Sequence, residues 1–301
     1  MEKKEIENYQ KAGKIASDIK KYAREIIKPE MSLLEIAEKI EAKISELGGK
    51  PAFPTNLAID DVAAHYTPSS NDDKKASGLL KVDVGVHIKG SIADTAFSLD
   101  LTKEGKYKKL IEASEKALEA ALKKIKKGVT FSEVGAEIQK EITKFNFSPI
   151  RNLSGHQLGE FLVHAGETIP NYENNNLSKI EEGAYAIEPF STSGQGIVYD
   201  GGKSSIYKLE KEAGVRDTTA RKIYQYILDE YKTLPFCERW ITKKFGSRAR
   251  LALLFLEQTG ILHQYAQLIE KSHAPVSQAE DTVIIGKESE VTTREKQDES
   301  R

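Results

Sequence analysis

The chain has 301 residues, 39% hydrophobic and 30% charged, an ordinary balance for a soluble globular protein of one large domain or two. Its 45 basic and 46 acidic residues leave a formal charge of −1, so no overall field draws it to nucleic acid or to a membrane surface. A single cysteine, Cys237, excludes an internal disulfide, and no apolar run approaches the length of a membrane span or signal peptide, so a cytoplasmic location is expected.

Helical periodicity runs over residues 4–27 and, after the capping box Ser32-x-x-Glu35, over 33–47. Extended, turn-rich chain follows over 51–67. Segments 80–88 and 91–101 then read as strands joined at Lys89-Gly90. For such a two-residue loop, Asp94 opposes Gly85 and Asp83 opposes Ala96. Asp83 and Asp94 therefore share one face as diagonal neighbours, roughly 7 to 8 Å apart at Cα, with Gly85 leaving room between them. Val82, Val84 and Val86 take the other face as core. Two acids on the inner face of an apolar hairpin are costly to bury unless something positive joins them. A metal centre is one reading of the pair, and a solvated polar face is the other.

A second helix pair is expected over 106–127 and 131–145, with Thr130-x-x-Glu133 as its capping box. At an offset of 98 residues Tyr9 meets Tyr107, Ser32 meets Thr130, Glu35 meets Glu133, and Ile36, Ile40 and Ile44 meet Val134, Ile138 and Ile142. Each pair is followed by a Pro-containing stretch, an Asn-Leu (Asn56-Leu57, Asn152-Leu153) and a histidine (His65, His164). Leu80-Lys-Val-Asp83-Val-Gly85 is echoed by Tyr185-Ala-Ile-Glu188-Pro-Phe190. The chain reads as internally duplicated. The counterpart of Asp94 is Glu280, in Gln278-Ala-Glu280-Asp281-Thr-Val-Ile-Ile285. Glu280 lies 92 residues after Glu188, against eleven between Asp83 and Asp94, so about 81 residues interrupt the second hairpin. A catalytic domain of residues 1–201 and 274–301 is expected, with a helical insertion subdomain at 202–273 whose helices fall at 218–233, 236–245 and 248–257. Lys243, Lys244, Arg248 and Arg250 give the insertion a winged-helix look. A cover that shapes the site is preferred to nucleic-acid binding. Residues 295–301 read as a polar, frayed end.

Ser154-Gly155-His156-Gln157-Leu158-Gly159 adds an imidazole on a glycine-flanked segment that can approach a buried site closely. Asp83, Asp94, His156, Glu188 and Glu280 form an oxygen-rich set with one imidazole, which suits Mn, Fe, Co or Zn in a reactive site better than a closed structural zinc site. Two such ions, about 3.5 to 4 Å apart, activate a water and polarise a carbonyl or phosphoryl oxygen, so hydrolysis is the natural chemistry.

In order and spacing these five residues resemble the ligands of methionine aminopeptidases with the pita-bread fold, and the similarity runs from residue 1 to residue 294. Phe53-Pro-Thr-Asn, Ala63-Ala-His65-Tyr-Thr-Pro68, Gly155-His156-x-Leu-Gly159 with His164-Ala-Gly166, Glu188-Pro189-Phe190 and the insertion before Glu280 resemble the type 2, archaeal-type enzymes. The resemblance implies an α+β fold with a pseudo-two-fold duplication, its antiparallel sheets flanked by helices, plus the helical insertion. It implies two divalent ions per chain, bridged by Asp94 and Glu280, with Asp83 chelating one and His156 and Glu188 completing the other. Glu188 would exchange protons with the nucleophilic water, His164 would bond the scissile carbonyl, and His65 would contact the substrate near its amine. Phe53, Val163, Phe190 and Tyr265 would line the methionine pocket. The implied substrate is the N-terminal methionine of newly made chains, with small penultimate residues favoured. A monomer is expected, with association to ribosomes as an option and no membrane or nucleic-acid partner. His263 and His273 match no ligand. Two alternatives stay open: a proline dipeptidase-like exopeptidase, whose relatives normally carry a further N-terminal domain, and a non-catalytic homologue of the same fold that binds nucleic acid or protein.

Overall fold

The computed structural model describes residues 1–294, so the expectation for residues 295–301 lies outside the described residues. The first half contains α1 (Lys3–Ile26), α2 (Leu33–Glu46), the short strands β1 (Lys50–Pro51), β2 (Asn56–Ile59) and β3 (Val62–Ala64), and the hairpin of β4 (Leu79–Ile88) and β5 (Ser91–Asp100). The second half repeats the plan with α3 (Lys108–Lys124), α4 (Phe131–Lys144), β6 (Ser148–Pro149), β7 (Ser154–Leu158), β8 (Thr168–Pro170), β9 (Gly183–Ile187) and β10 (Phe190–Thr192). An insertion follows, made of β11 (Val198–Leu209), α5 (Thr218–Glu230), β12 (Phe236–Cys237), α6 (Glu238–Phe245), α7 (Ala249–Gln258) and β13 (Leu262–Glu270). The chain then returns through β14 (Val276–Gln278), β15 (Asp281–Ile285) and β16 (Ser289–Val291). Among the described residues no helix is long and apolar enough to cross a membrane.

The two expected capping boxes differ. Thr130 and Glu133 exchange both bonds at the start of α4. At α2 the Ser32 hydroxyl caps Glu35 N–H, but the Glu35 carboxylate reaches Lys39 at 2.6 Å instead of returning to the cap. In each half the apolar stripe of the helix pair lies on one face of its sheet. Ala12, Ala16, Ile19, Ile36 and Ile40 bury Val82, Val84 and Val86, while Val134, Ile138 and Ile142 share a second core with Tyr185, Ile187 and Val283.

The first hairpin has the anticipated register, Gly85 against Asp94 and Asp83 against Ala96. Its counterpart is one ladder broken in the middle. Ile187 pairs with Asp281 and Phe190 with Gln278 in a single continuous register, interrupted where Glu188-Pro189 passes Ala279-Glu280. Pro189 has no N–H to give, and only its carbonyl is bonded, by Ala279 N–H at 3.2 Å. The acids of the second half sit at that interruption.

The halves meet where β5 runs along β14 and β15. Ala96 and Glu280 exchange backbone bonds of 3.2 and 2.9 Å. On either side, hydroxyls take the place of backbone partners. Thr282 Oγ1 accepts from Asp94 N–H at 2.7 Å and donates to Asp94 O at 2.8 Å, and Ser98 Oγ does the same for Gln278, at 2.9 and 2.8 Å.

The insertion carries its three expected helices and, beyond them, strands. α5, α6 and α7 close over Tyr207, Ile223, Ile227, Phe236, Ile241 and Leu253, but they stand on a ribbon of β11 and β13 that continues onto β3 of the first half. Residue 202 falls inside β11. Gly201, Gly202, Ser204 and Ser205 interrupt the strand's apolar alternation, and the register slips twice between Asp200 and Tyr207, which is why the pattern did not read as a strand.

A buried ion pair ties the insertion to the first half. Arg239 of α6 grips Glu41 of α2 with two bonds of 2.6 and 2.8 Å and also donates to Pro68 O at 3.2 Å. Glu41 further accepts from Trp240 Nε1 at 2.8 Å and Thr55 N–H at 3.2 Å. Removing one partner strands a desolvated charge, which costs about 3–5 kcal/mol. Arg239→Met is expected to lose about that much in urea unfolding, and the double change with Glu41→Leu to recover most of it; a single variant within about 1 kcal/mol of the parent would contradict this role for the pair.

Candidate metal centre

Five strands or their ends deliver the five expected ligands to one cavity. Asp83 comes from β4, Asp94 from β5, His156 from β7, Glu188 from the end of β9, and Glu280 from the gap between β14 and β15. Gly155 explains how β7 approaches so closely. A Cβ there would lie 2.4 Å from Ala186 O, so any other residue would push His156 out of register with Ala186.

Ligand atoms of Asp94, His156 and Glu280 all lie within 4.8 Å of one another. His156 Nε2 stands 3.8 Å from Asp94 Oδ2 and 3.9 Å from Glu188 Oε1. Gln278 Nε2 donates to Glu188 Oε2 at 3.3 Å. Among the described residues no Lys or Arg pairs with any of the four carboxylates. Burial, then repulsion by Asp83, drives Asp94 well above the usual carboxylate range. Burial and then their acidic neighbours do the same to Glu188 and Glu280, and burial lifts Asp83 to about 7. His156 is depressed to about 3, by burial and then by His164. Asp83 Oδ1, Asp94 Oδ1 and His156 Nδ1 are buried without a hydrogen-bond partner. Oxygen donors in excess, a neutral imidazole and orphaned polar atoms are what a divalent-cation site of borderline softness requires, so the residues fit such ions.

The substrate-side residues flank this cluster. His65 sits at the end of β3 in the left-handed region (φ 62°), with Nδ1 3.2 Å from Ala266 O and its ring 5.1 Å from that of Tyr265. Burial first, then His164, lowers it to about 4. His164 packs edge-on to His156 at 4.4 Å, and burial followed by Lys208 lowers it too. Phe53, Val163 and Tyr265 line the cavity. Phe190 does not. It is fully buried with Ala63, Ala64, Ile150, Val198 and Val276, one layer removed from the cavity wall that Ala64 forms, because the break at Pro189 ends the regular alternation that would have carried Phe190 to the face of Glu188. His263 is exposed, and His273 bonds Asp61 Oδ2 at 2.6 Å.

Asn56, Ala64, Ile206 and Pro235 also line the cavity, beyond the residues expected from the sequence. Asn56 reaches the cavity because β2 pairs it directly with Asp83, a long-range contact that its sequence neighbours do not announce. Ile206 and Pro235 come from the insertion, and no local pattern announces them. The room at Gly85 has an occupant: the Phe53 ring lies where a Cβ would be, with Cε1 2.2 Å from that position.

Residues 7–218 match the model of metallopeptidase family M24. The chain is 43% identical over 296 residues to a methionine aminopeptidase of Pyrococcus horikoshii, covering 97% of this chain and all of that one. It is 42% identical over 297 residues to one of Methanocaldococcus jannaschii, covering 96% and 100%. Among solved structures it resembles a thermophilic Arx1 (TM-score 0.85, 15% identity, 99% of this chain and 92% of that one). It also resembles a methionine aminopeptidase of Thermotoga maritima (0.69, 21%, 98% of both) and a prolidase of Pyrococcus furiosus (0.58, 19%, 99% and 66%). These three likenesses are of fold.

Two outcomes are expected. Gly85→Ala must displace the buried Phe53 ring, so substrate KM should rise at least tenfold and the unfolding temperature should fall; unchanged kinetics would mean the ring is not part of the pocket. Carboxyls raised in the folded state hold protons that the unfolded chain has lost, so the site's contribution to metal-free stability is present below about pH 4 and lost as pH rises towards about 7. Divalent ions replace those protons, and the gain in unfolding temperature on adding Mn²⁺ should therefore grow from pH 5 to pH 8. A gain that shrinks over that range would contradict this.

Proposed function

The chain belongs to the methionine aminopeptidases of metallopeptidase family M24, and we propose that within them it is a type 2 enzyme whose five cavity ligands, two histidines and apolar pocket act as set out below. It removes N-terminal methionine by metal-dependent hydrolysis. The observation that carries this function is the identity of 42–43% with methionine aminopeptidases over nearly the whole chain. A prolidase reading rests on fold likeness at 19% identity alone, and a purely binding role leaves four carboxylates crowded into one cavity without a purpose.

Asp83, Asp94, His156, Glu188 and Glu280 would hold two divalent ions, which when bound supply Lewis acidity and an activated water. Glu188 would take a proton from that water and pass it to the departing amine. Gln278 holds one of its oxygens and leaves the other on the His156 side. His65 and His164 are kept neutral by burial. Because Ala266 O can only accept, His65 carries its proton on Nδ1, and Nε2 is left as an acceptor for a substrate N–H. His164 would donate to the scissile carbonyl oxygen, where negative charge develops.

Phe53, Val163 and Tyr265 would take the thioether side chain, whose burial contributes roughly 2–3 kcal/mol. Residues 202–273 are read as a subdomain that covers the site, since Ile206, Pro235 and Tyr265 of that segment line the cavity. A cytoplasmic monomer, meeting nascent chains at the ribosome, fits this reading.

The protein loaded in turn with Mn²⁺, Fe²⁺, Co²⁺ or Zn²⁺ should release methionine from Met-Ala-Ser and not from its N-acetyl form. Glu188→Gln should lower kcat by roughly 10²–10⁴-fold and leave the unfolding temperature of the metal-loaded protein near that of the parent. Inactivity with all four metals would defeat the functional reading, and a fully active Glu188→Gln would remove the proton-transfer role.

A further inference from the structure

Asn56 is 5% exposed, lines the cavity, and is unused by the chemistry above. Its Nδ2 donates to Pro54 O at 2.9 Å, two residues back along the same segment. That bond fixes the amide and leaves Oδ1 as the free end, and Oδ1 is buried without a partner. An orphaned acceptor costs about 1–3 kcal/mol unless a donor reaches it. Asn56 is also the direct cross-strand partner of Asp83, whose Oδ1 is a second buried orphan, so the two side chains leave the same face of the β2–β4 pair as neighbours. Asp83 Oδ1 is taken by the cations, so Asn56 Oδ1 is the acceptor of the two still without a partner, and it calls for a donor on the substrate. Phe53, three residues earlier in the segment, walls the apolar part of the cavity, with its ring over Gly85, two residues beyond Asp83. A methionine side chain lying along Phe53 places its own Cα beside this pair, and the nearest donor on that Cα is the α-amino group.

Resting on the aminopeptidase reading, we infer that Asn56 Oδ1 accepts a hydrogen bond from the substrate's free α-amine and is a specificity residue for unblocked N-termini. The amine brings at least two N–H bonds, one for Asn56 and one for another acceptor at the same point. A blocked N-terminus keeps one N–H and adds an acyl group where Asn56 and Asp83 stand.

The test compares L-methionine with 4-(methylthio)butanoate, which has the same side chain and carboxylate and no amine, by calorimetric binding to the Mn²⁺-loaded protein. Asn56→Leu should weaken methionine roughly tenfold to hundredfold and leave the des-amino ligand within about twofold, with bound manganese per chain unchanged. Asn56→Ala should give the same contrast, and because both ligands are measured on one preparation the ratio does not depend on how much of a variant folds. Equal weakening of both ligands, no weakening of either, or a loss of bound manganese would each overturn the inference, the last by making Asn56 a metal ligand. A parent protein that cleaves Met-Ala-Ser while Asn56→Leu shows no selective loss removes this inference alone; a parent that releases no methionine from Met-Ala-Ser with any of the four metals removes the aminopeptidase reading with it.

Discussion

Four carboxylates share one cavity, among the described residues no lysine or arginine joins them, and the rest of the architecture answers to that constraint. Anions this close in a low-dielectric pocket repel one another, and burial alone already pushes their protonation equilibria upward. A protein tolerates such a cluster only if something cationic completes it, or if it takes up protons. The orphaned oxygens of Asp83 and Asp94, with the neutral Nε2 of His156 facing the cluster, point to cations.

Holding the cluster requires rigid surroundings, which the duplication supplies twice. Each half lays two helices on one face of a sheet, and the acids project from the other. The seam between β5 and β14–β15 sets the distance between the pairs, and it relies on Thr282 and Ser98 for bonds that a regular ladder would make through the backbone. Hydroxyls at those positions let two twisted sheets meet without a continuous register. The Arg239–Glu41 pair then seats the insertion and braces the segment that carries Phe53 and Asn56, since Glu41 also holds Thr55 N–H. Stability contacts and substrate-facing residues are thus a few positions apart in one stretch of chain.

Much of this was legible before any coordinates. The Lys89-Gly90 turn fixes a hairpin register by arithmetic, and the β4–β5 pairing follows it residue for residue. Helix boundaries followed from capping residues and apolar spacing, which are local. What the sequence hid was non-local or irregular. The β11–β13 ribbon is broken by Gly201-Gly202 and two register slips, so its alternation never forms a readable run. The family resemblance puts Phe190 in the pocket, yet the proline between it and Glu188 ends the alternation. Asn56 stands in the sequence as a repeat marker and as the end of Phe53-Pro-Thr-Asn, with no site role, because that role comes from pairing across β2 and β4.

The central claim is that these five side chains exist to hold two divalent ions. Anomalous diffraction at the manganese edge, from crystals grown with Mn²⁺, tests it most directly. Two peaks per chain inside the cavity, bounded by Asp83, Asp94, His156, Glu188 and Glu280, are the predicted result; a cavity free of anomalous signal at saturating manganese, or ions bound only elsewhere, would contradict the account.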